Sequence, residues 1–82
     1  MPYIPKDKRP PMDEVVSLMM MNNVRPNGTL NYVLCSHFKR LKLESYNDIK
    51  NYLAELNEAA EEIRRRFLVE REKEKMRENG DI

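Results

Sequence analysis

The chain has little of what most catalytic and metal sites require. Among its 82 residues there is one cysteine, Cys35, one histidine, His37, two glycines and no tryptophan. A single cysteine excludes an intrachain disulfide, and one Cys with one His cannot supply the four ligands of an ordinary structural zinc site. Two glycines are too few for a phosphate-cradling loop. We therefore expect no catalytic residues, no metal and no cofactor, and a protein that acts by binding.

Long apolar runs are also missing. No stretch approaches the about 20 consecutive apolar residues of a membrane span, and the first residues lack the apolar run of a signal peptide. A lone free thiol is typical of a reducing compartment. The 15 basic and 14 acidic residues leave a formal net charge of +1, so the chain has no overall field that attracts nucleic acid or anionic lipid. We expect a cytoplasmic protein without a membrane partner, and nucleic acid is disfavoured.

Material for a hydrophobic core is scarce. Hydrophobic residues make up 40% of the chain and include only two Phe. A domain of this size buries only about 60% of its unfolded surface, and such domains are usually stabilised by disulfides, a metal or self-association. With the first two excluded, the composition favours a homo-oligomer.

The first part of the chain predicts an arm and two short helices. Prolines at 2, 5, 10 and 11 indicate an extended arm over residues 1–11, either loose or anchored through Tyr3 and Ile4. A single helical domain is expected over residues 12–82. Its first helix begins near Met12, and the apolar run 18–21 suits a subunit contact. After the 25–28 turn, a second helix begins at Thr29, as a candidate cap, or at Leu30.

A longer helix follows over about residues 46–78. Ser45 is its predicted cap, and Asp48 three residues later completes an approximate capping box. Apolar residues recur at the alternating spacing of four and three that is typical of a coiled-coil seam: Ile49, Leu53, Leu56, Ala60, Ile63 and Phe67. The predicted fold is all-α, with two short helices packed on one long C-terminal helix. The part that they cannot cover is either solvated or packed on another subunit.

Three consecutive arginines, at positions 64–66, are the most distinctive charged feature. They spread over about 200° of a helix, so they do not form one patch. Glu61 and Glu62 precede them at the spacing of helix ion pairs. Two interpretations remain open: a salt-bridged helix face, or one or two arginines that bind a phosphate or carboxylate.

Short motifs along the chain resemble a family of small uncharacterised phage and prokaryotic proteins. They are Met1-Pro2-Tyr3-Ile4, Gly28-Thr29-Leu30-Asn31-Tyr32-Val33, Ser45-Tyr46 with Asn51, Glu62 with Arg65-Arg66, and Glu78-Asn79-Gly80-Asp81. Family members usually carry Asp at the position of Thr29, Tyr at that of Arg64, Pro-Tyr at 70–71, and a final tyrosine that this chain lacks. The resemblance implies no established activity, but it marks polar residues as candidate site positions.

Those positions predict a ligand-binding site formed by Asn31, Tyr32, Tyr46, Arg65 and Arg66. Asn and Tyr at a helix start, together with arginines, would suit an anion. One functional hypothesis is a small helical oligomer that binds and sequesters a nucleotide-like ligand, as a phage counter-defence protein in the host cytoplasm would. The alternative is a structural or protein-interaction module that acts through its long helix and has no small-molecule ligand.

Overall fold

The computed structural model describes residues 4–80, and every regular element in that range is helical. Helix α1 spans Pro10–Met21, α2 spans Thr29–Leu41 and α3 spans Tyr46–Ile63; a π-helical segment, Arg64–Leu68, joins α3 to α4, Val69–Asn79. We call α3, the π segment and α4 together the long helix, which has 34 residues. The predicted all-α class and the long C-terminal helix are confirmed.

The chain divides into two compact units, and in the first, Met1–Leu43, the predicted arm of residues 1–11 precedes α1 except for Pro10 and Pro11, which belong to the helix. Lys6–Lys8 form a 3-10 turn, and Arg9 Nε donates a hydrogen bond to the backbone oxygen of Ile4 at 3.1 Å. Helix α1 starts at Pro10, two residues before the predicted start. Proline is tolerated at the first helical positions, because the amide hydrogen that it lacks would have no acceptor within the helix. The expected anchor Tyr3 lies outside the described residues.

A polar turn connects α1 to α2, and Thr29 has a different role there from the predicted cap. Gly28 is the N-cap, with a φ of 108° that a residue with a side chain rarely adopts. The Thr29 hydroxyl accepts a hydrogen bond from the Arg25 amide at 2.8 Å, and its single proton can be donated to the Arg25 carbonyl at 3.0 Å or to Asn27 Oδ1 at 2.9 Å. Thr29 therefore ties the first turn of α2 back to the preceding loop.

The second unit, Glu44–Ile82, contains the long helix and begins as the sequence predicts. Ser45 has extended backbone geometry, and its side-chain oxygen accepts a hydrogen bond from the Asp48 amide at 3.1 Å. This bond satisfies one of the amide groups that the first turn of a helix leaves without a partner. Asp48 also lies in that first turn, where negative charge is favoured.

The long helix changes its winding at the arginine cluster, which the sequence does not predict. Over Arg64–Leu68 the hydrogen bonds follow the wider π pattern, and the Val69 amide donates to the Arg64 carbonyl. A π segment adds the equivalent of one residue to the turn, so the side chains after it are rotated relative to those before it. Because Phe67 is the last residue of the heptad pattern, the change in winding falls where the apolar spacing ends.

Apolar side chains remain solvent-accessible throughout residues 4–80, where no residue is fully buried. In the second unit the reason is simple: a single helix has no other element in its own unit to pack against. In the first unit, α1 exposes Val15, Leu18 and Met20 by half or more. The described chain therefore presents unusually large amounts of apolar surface for its size.

Candidate functional site

One face of the long helix carries an exposed apolar stripe. Its six residues are Ile49, Leu53, Leu56, Ala60, Ile63 and Phe67. Leu53 is 53% exposed, Ile63 59% and Phe67 63%, whereas Ile49 and Leu56 are half-buried. All six belong to one continuous helix that runs from Tyr46 to Asn79. From Ile49 to Ile63 the stripe is thus a rigid row of side chains with heptad spacing, the arrangement that packs along another helix. Phe67 lies in the π segment, where the wider winding turns its side chain relative to that row.

The arginine cluster is held by glutamates on the same helix. Glu62 forms ion pairs with both Arg65 and Arg66, and Arg64 lies 3.8 Å from Glu61. The Glu62 side chain is only 15% exposed, whereas those of Arg65 and Arg66 are 65% and 60% exposed. The geometry therefore matches the salt-bridged interpretation of this segment. Exposed pairs of this kind stabilise a protein by no more than about 1 kcal/mol each.

Further along the helix the same pattern continues. Lys73 lies 3.7 Å from Glu70, and Arg71 lies 3.3 Å from Glu74. All five cations from position 64 to position 73 thus have a carboxylate partner three or four residues away. These pairs keep the charged side chains along the helix surface.

The other predicted site residues divide between the two units. Asn31 and Tyr32 open α2 in the first unit, where Asn31 Oδ1 accepts a hydrogen bond from the Cys35 thiol at 3.1 Å and Tyr32 is 73% exposed. Tyr46 begins α3 in the second unit and is 78% exposed. It precedes Arg65 by nineteen residues of continuous helix, about 28 Å at 1.5 Å per residue. Tyr46 and Arg65 of one chain therefore do not meet around one nucleotide.

A basic face on α2 was missed by the sequence analysis. Three cations, Lys39, Arg40 and Lys42, line a shallow depression of about 590 Å³ together with Tyr32, Cys35 and Ser36. Within residues 4–80, none of these three cations has a carboxylate partner. They differ in this respect from the paired arginines of the long helix.

The formal net charge of +1 conceals this separation of charge. The first unit has seven basic and three acidic residues, whereas the second has eight basic and eleven acidic ones. No Asp or Glu occurs from position 15 to position 43. That acid-free stretch of sequence was the available indication of the basic face, and a total count of charges hides it.

The described part of the chain also bears on metal sites and membrane-spanning helices. No group of three or more His, Cys, Asp or Glu side chains between positions 4 and 80 is arranged to hold a metal ion. Over the same residues, no helix is both long and apolar enough to cross a membrane.

Comparison with known proteins identifies a family. The family model described as a domain of unknown function (DUF6899) matches residues 1–82, and the chain belongs to that family. No curated protein and no solved structure gives a significant match. The family membership confirms the resemblance to an uncharacterised group.

Proposed function

We propose that this member of the DUF6899 family is a non-enzymatic interaction module of the cytoplasm that self-associates through the apolar stripe of its long helix. The single observation that carries the proposal is the exposure of the stripe. Six residues with heptad spacing lie on one rigid helix, and three of them are more than half exposed. Burying a large apolar side chain fully contributes about 1.5–3 kcal/mol, which gives the stripe a strong tendency to find a partner.

A second copy in antiparallel orientation fits the stripe well. Such a pairing places Ile49 of one copy opposite Phe67 of the other, Leu53 opposite Ile63, and Leu56 opposite Ala60. Every layer then joins two apolar residues, and the smallest member, Ala60, faces a leucine. In a parallel pairing each residue would face itself, which would leave a gap between two alanines and crowd two phenylalanines.

The residues beside the stripe agree with that orientation. In the antiparallel pairing Asn57 faces Asn57 and Ala59 faces Ala59 across the symmetry axis, so no charge lies at the centre of the interface. On one side Tyr52 faces Arg66, a pair suited to a cation–π contact. On the other side Lys50 faces Arg64, whose charge is offset by Glu61 in its own chain.

The test of this proposal is the mass of the parent protein in solution. We expect sedimentation equilibrium to give twice the mass of the 9.8 kDa chain. Protein concentrations of about 10–100 µM suit a helix–helix interaction of moderate affinity. The unfolding temperature should rise with protein concentration, because association stabilises the folded chain by mass action. A protein that stays monomeric over this range, with a concentration-independent unfolding temperature, contradicts the proposal.

Binding of a nucleotide-like anion, with the sequestering role predicted from the sequence, is a second candidate function. One observation favours it: the exposed guanidiniums of Arg65 and Arg66 converge on a single carboxylate, Glu62. A phosphate group that displaced this carboxylate would meet two forked donors at once.

Arginine variants test the anion site separately from self-association. Native mass spectrometry of the protein mixed with nucleotides measures this binding. We expect the arginine that makes the charged hydrogen bond, Arg65 or Arg66, to weaken binding by about 1.5–3 kcal/mol when it is replaced by Ala. Glu62→Gln should strengthen binding, because it removes the competing carboxylate. The oligomeric mass should stay the same in Arg65→Ala and Glu62→Gln, because neither residue lies in the proposed interface. Failure of the parent to retain any nucleotide rules out this site and leaves the stripe proposal intact.

A further inference from the structure

We propose that the basic face of α2 binds the phosphate backbone of single-stranded nucleic acid. The face consists of Tyr32, Ser36, Lys39 and Arg40, which recur at helical spacings of four, seven and eight residues, together with Lys42 just after the helix. From Tyr32 to Arg40 the face is about 12 Å long at 1.5 Å per residue. It is therefore a surface for several groups along a chain and not a site for one phosphate.

The cations of this face are available to an external anion. Their charges are not offset by any carboxylate among residues 4–80, whereas Arg64, Arg65 and Arg66 are each paired with a glutamate. Lys39 and Arg40 lie in the last turn of α2, where the partial negative charge of the last carbonyls also stabilises positive side chains. That interaction with the helix end leaves the charged groups of these long side chains in solvent, where they can reach a second anion.

A low overall charge does not prevent such binding. At physiological ionic strength exposed charges are screened beyond about 8 Å, so the local cluster sets the field near α2. The first unit has an excess of four positive charges, and its acid-free stretch from position 15 to position 43 includes the whole of α2. The field at this face is therefore positive, although the complete chain is nearly neutral.

Tyr32 favours a single strand over a duplex or a free nucleotide. Its ring is 73% exposed and borders the same depression as the three cations. An exposed tyrosine beside cations can stack on an unpaired base, which a duplex does not offer. A free nucleotide needs an enclosed site to bind tightly. An open face that makes a few contacts with each nucleotide gains affinity when the nucleotides are linked.

The experiment follows the fluorescence anisotropy of a labelled 20-nucleotide oligothymidylate mixed with the full-length protein. We expect binding at low salt, and a plot of log affinity against log salt with a slope of about −2, since each of three phosphate contacts contributes about −0.7 on single strands. The double variant Lys39→Gln/Arg40→Gln should lose at least tenfold in affinity, with a slope near −0.7. Tyr32→Ala should lose about tenfold, whereas Tyr32→Phe should retain the parent affinity.

The matched control is the double variant Lys75→Gln/Arg77→Gln in α4, which removes the same charge from an exposed helical segment rich in glutamate. It should bind as the parent does, and circular dichroism should show equal helix content in all variants. The proposal is overturned by an absence of binding at low salt or by equal losses in the two double variants. Two further results would also overturn it. One is that ATP displaces the labelled oligonucleotide as effectively as unlabelled oligonucleotide does at the same concentration of nucleotides. The other is that the protein binds phosphatidylserine vesicles but not the oligonucleotide.

Discussion

Leu56→Glu is expected to convert the self-associated protein to a monomer. Leu56 lies near the middle of the stripe and is half-buried within its own chain. In the antiparallel pair it faces Ala60 twice, once in each copy, so one substitution places two carboxylates in the interface. Loss of two buried leucines alone removes about 3–6 kcal/mol, which corresponds to at least a hundredfold weaker association. Sedimentation equilibrium measures the mass, which should fall from that of the dimer to that of the monomer.

Ala54→Glu is the matched control for this variant. It adds the same side chain two positions earlier on the same helix, at an exposed residue outside the stripe. Glutamate has a good helix propensity, so neither substitution should prevent the helix from forming by itself. We expect the parent mass for Ala54→Glu. A dimer that persists in Leu56→Glu, or one that is lost equally in both variants, contradicts self-association through the stripe.

Local features of the fold were predictable where one or two neighbouring residues determine them. Ser45 was identified as a cap from its type and from Asp48, and the structure contains the corresponding hydrogen bond. The heptad spacing likewise predicted one long helix. The cap of α2 was harder to predict from the sequence, because a threonine at position 29 can either cap the helix or form hydrogen bonds with the preceding loop. The positive φ of Gly28 decides between those roles.

The π segment could not be predicted for a different reason. Residues 64–68 have good α-helix formers among them, and nothing in their spacing distinguishes i+4 from i+5 hydrogen bonding. The choice between the two depends on small differences in backbone geometry that a pattern of apolar and charged residues does not encode. The predicted helix is therefore correct in extent, and its winding at the arginine cluster is a structural finding.

Candidate site residues were harder to predict than the helices. Spacing alone places Glu62 within reach of Arg65 and Arg66, but it does not say whether those arginines remain available to a ligand. The near-neutral total charge hides the cations of α2, because it adds them to the acidic residues of the second unit. The ion pairs of individual side chains distinguish the cations of α2, which have no carboxylate partner among residues 4–80, from the paired ones of the long helix.

The orientation of the proposed dimer can be tested with the double variant Leu53→Cys/Ile63→Cys, made in a Cys35→Ser background so that no native thiol takes part. In the antiparallel pairing, position 53 of one copy faces position 63 of the other in two equivalent layers. The two positions are about 15 Å apart along a single helix, which is too far for a disulfide within one chain. Oxidation should therefore convert most of the protein to a covalent dimer on a non-reducing gel.

The single variants distinguish the two orientations. Leu53→Cys alone brings its thiols together only in a parallel pair, where each residue faces itself, so it should stay a monomer on the same gel. Ile63→Cys alone should behave in the same way. Covalent dimers in both single variants would show that the helices pair in parallel, and the layers proposed for Ala60 and Phe67 would then be wrong. The absence of cross-linking in the double variant, at concentrations where the parent is dimeric, would place the interface outside the stripe.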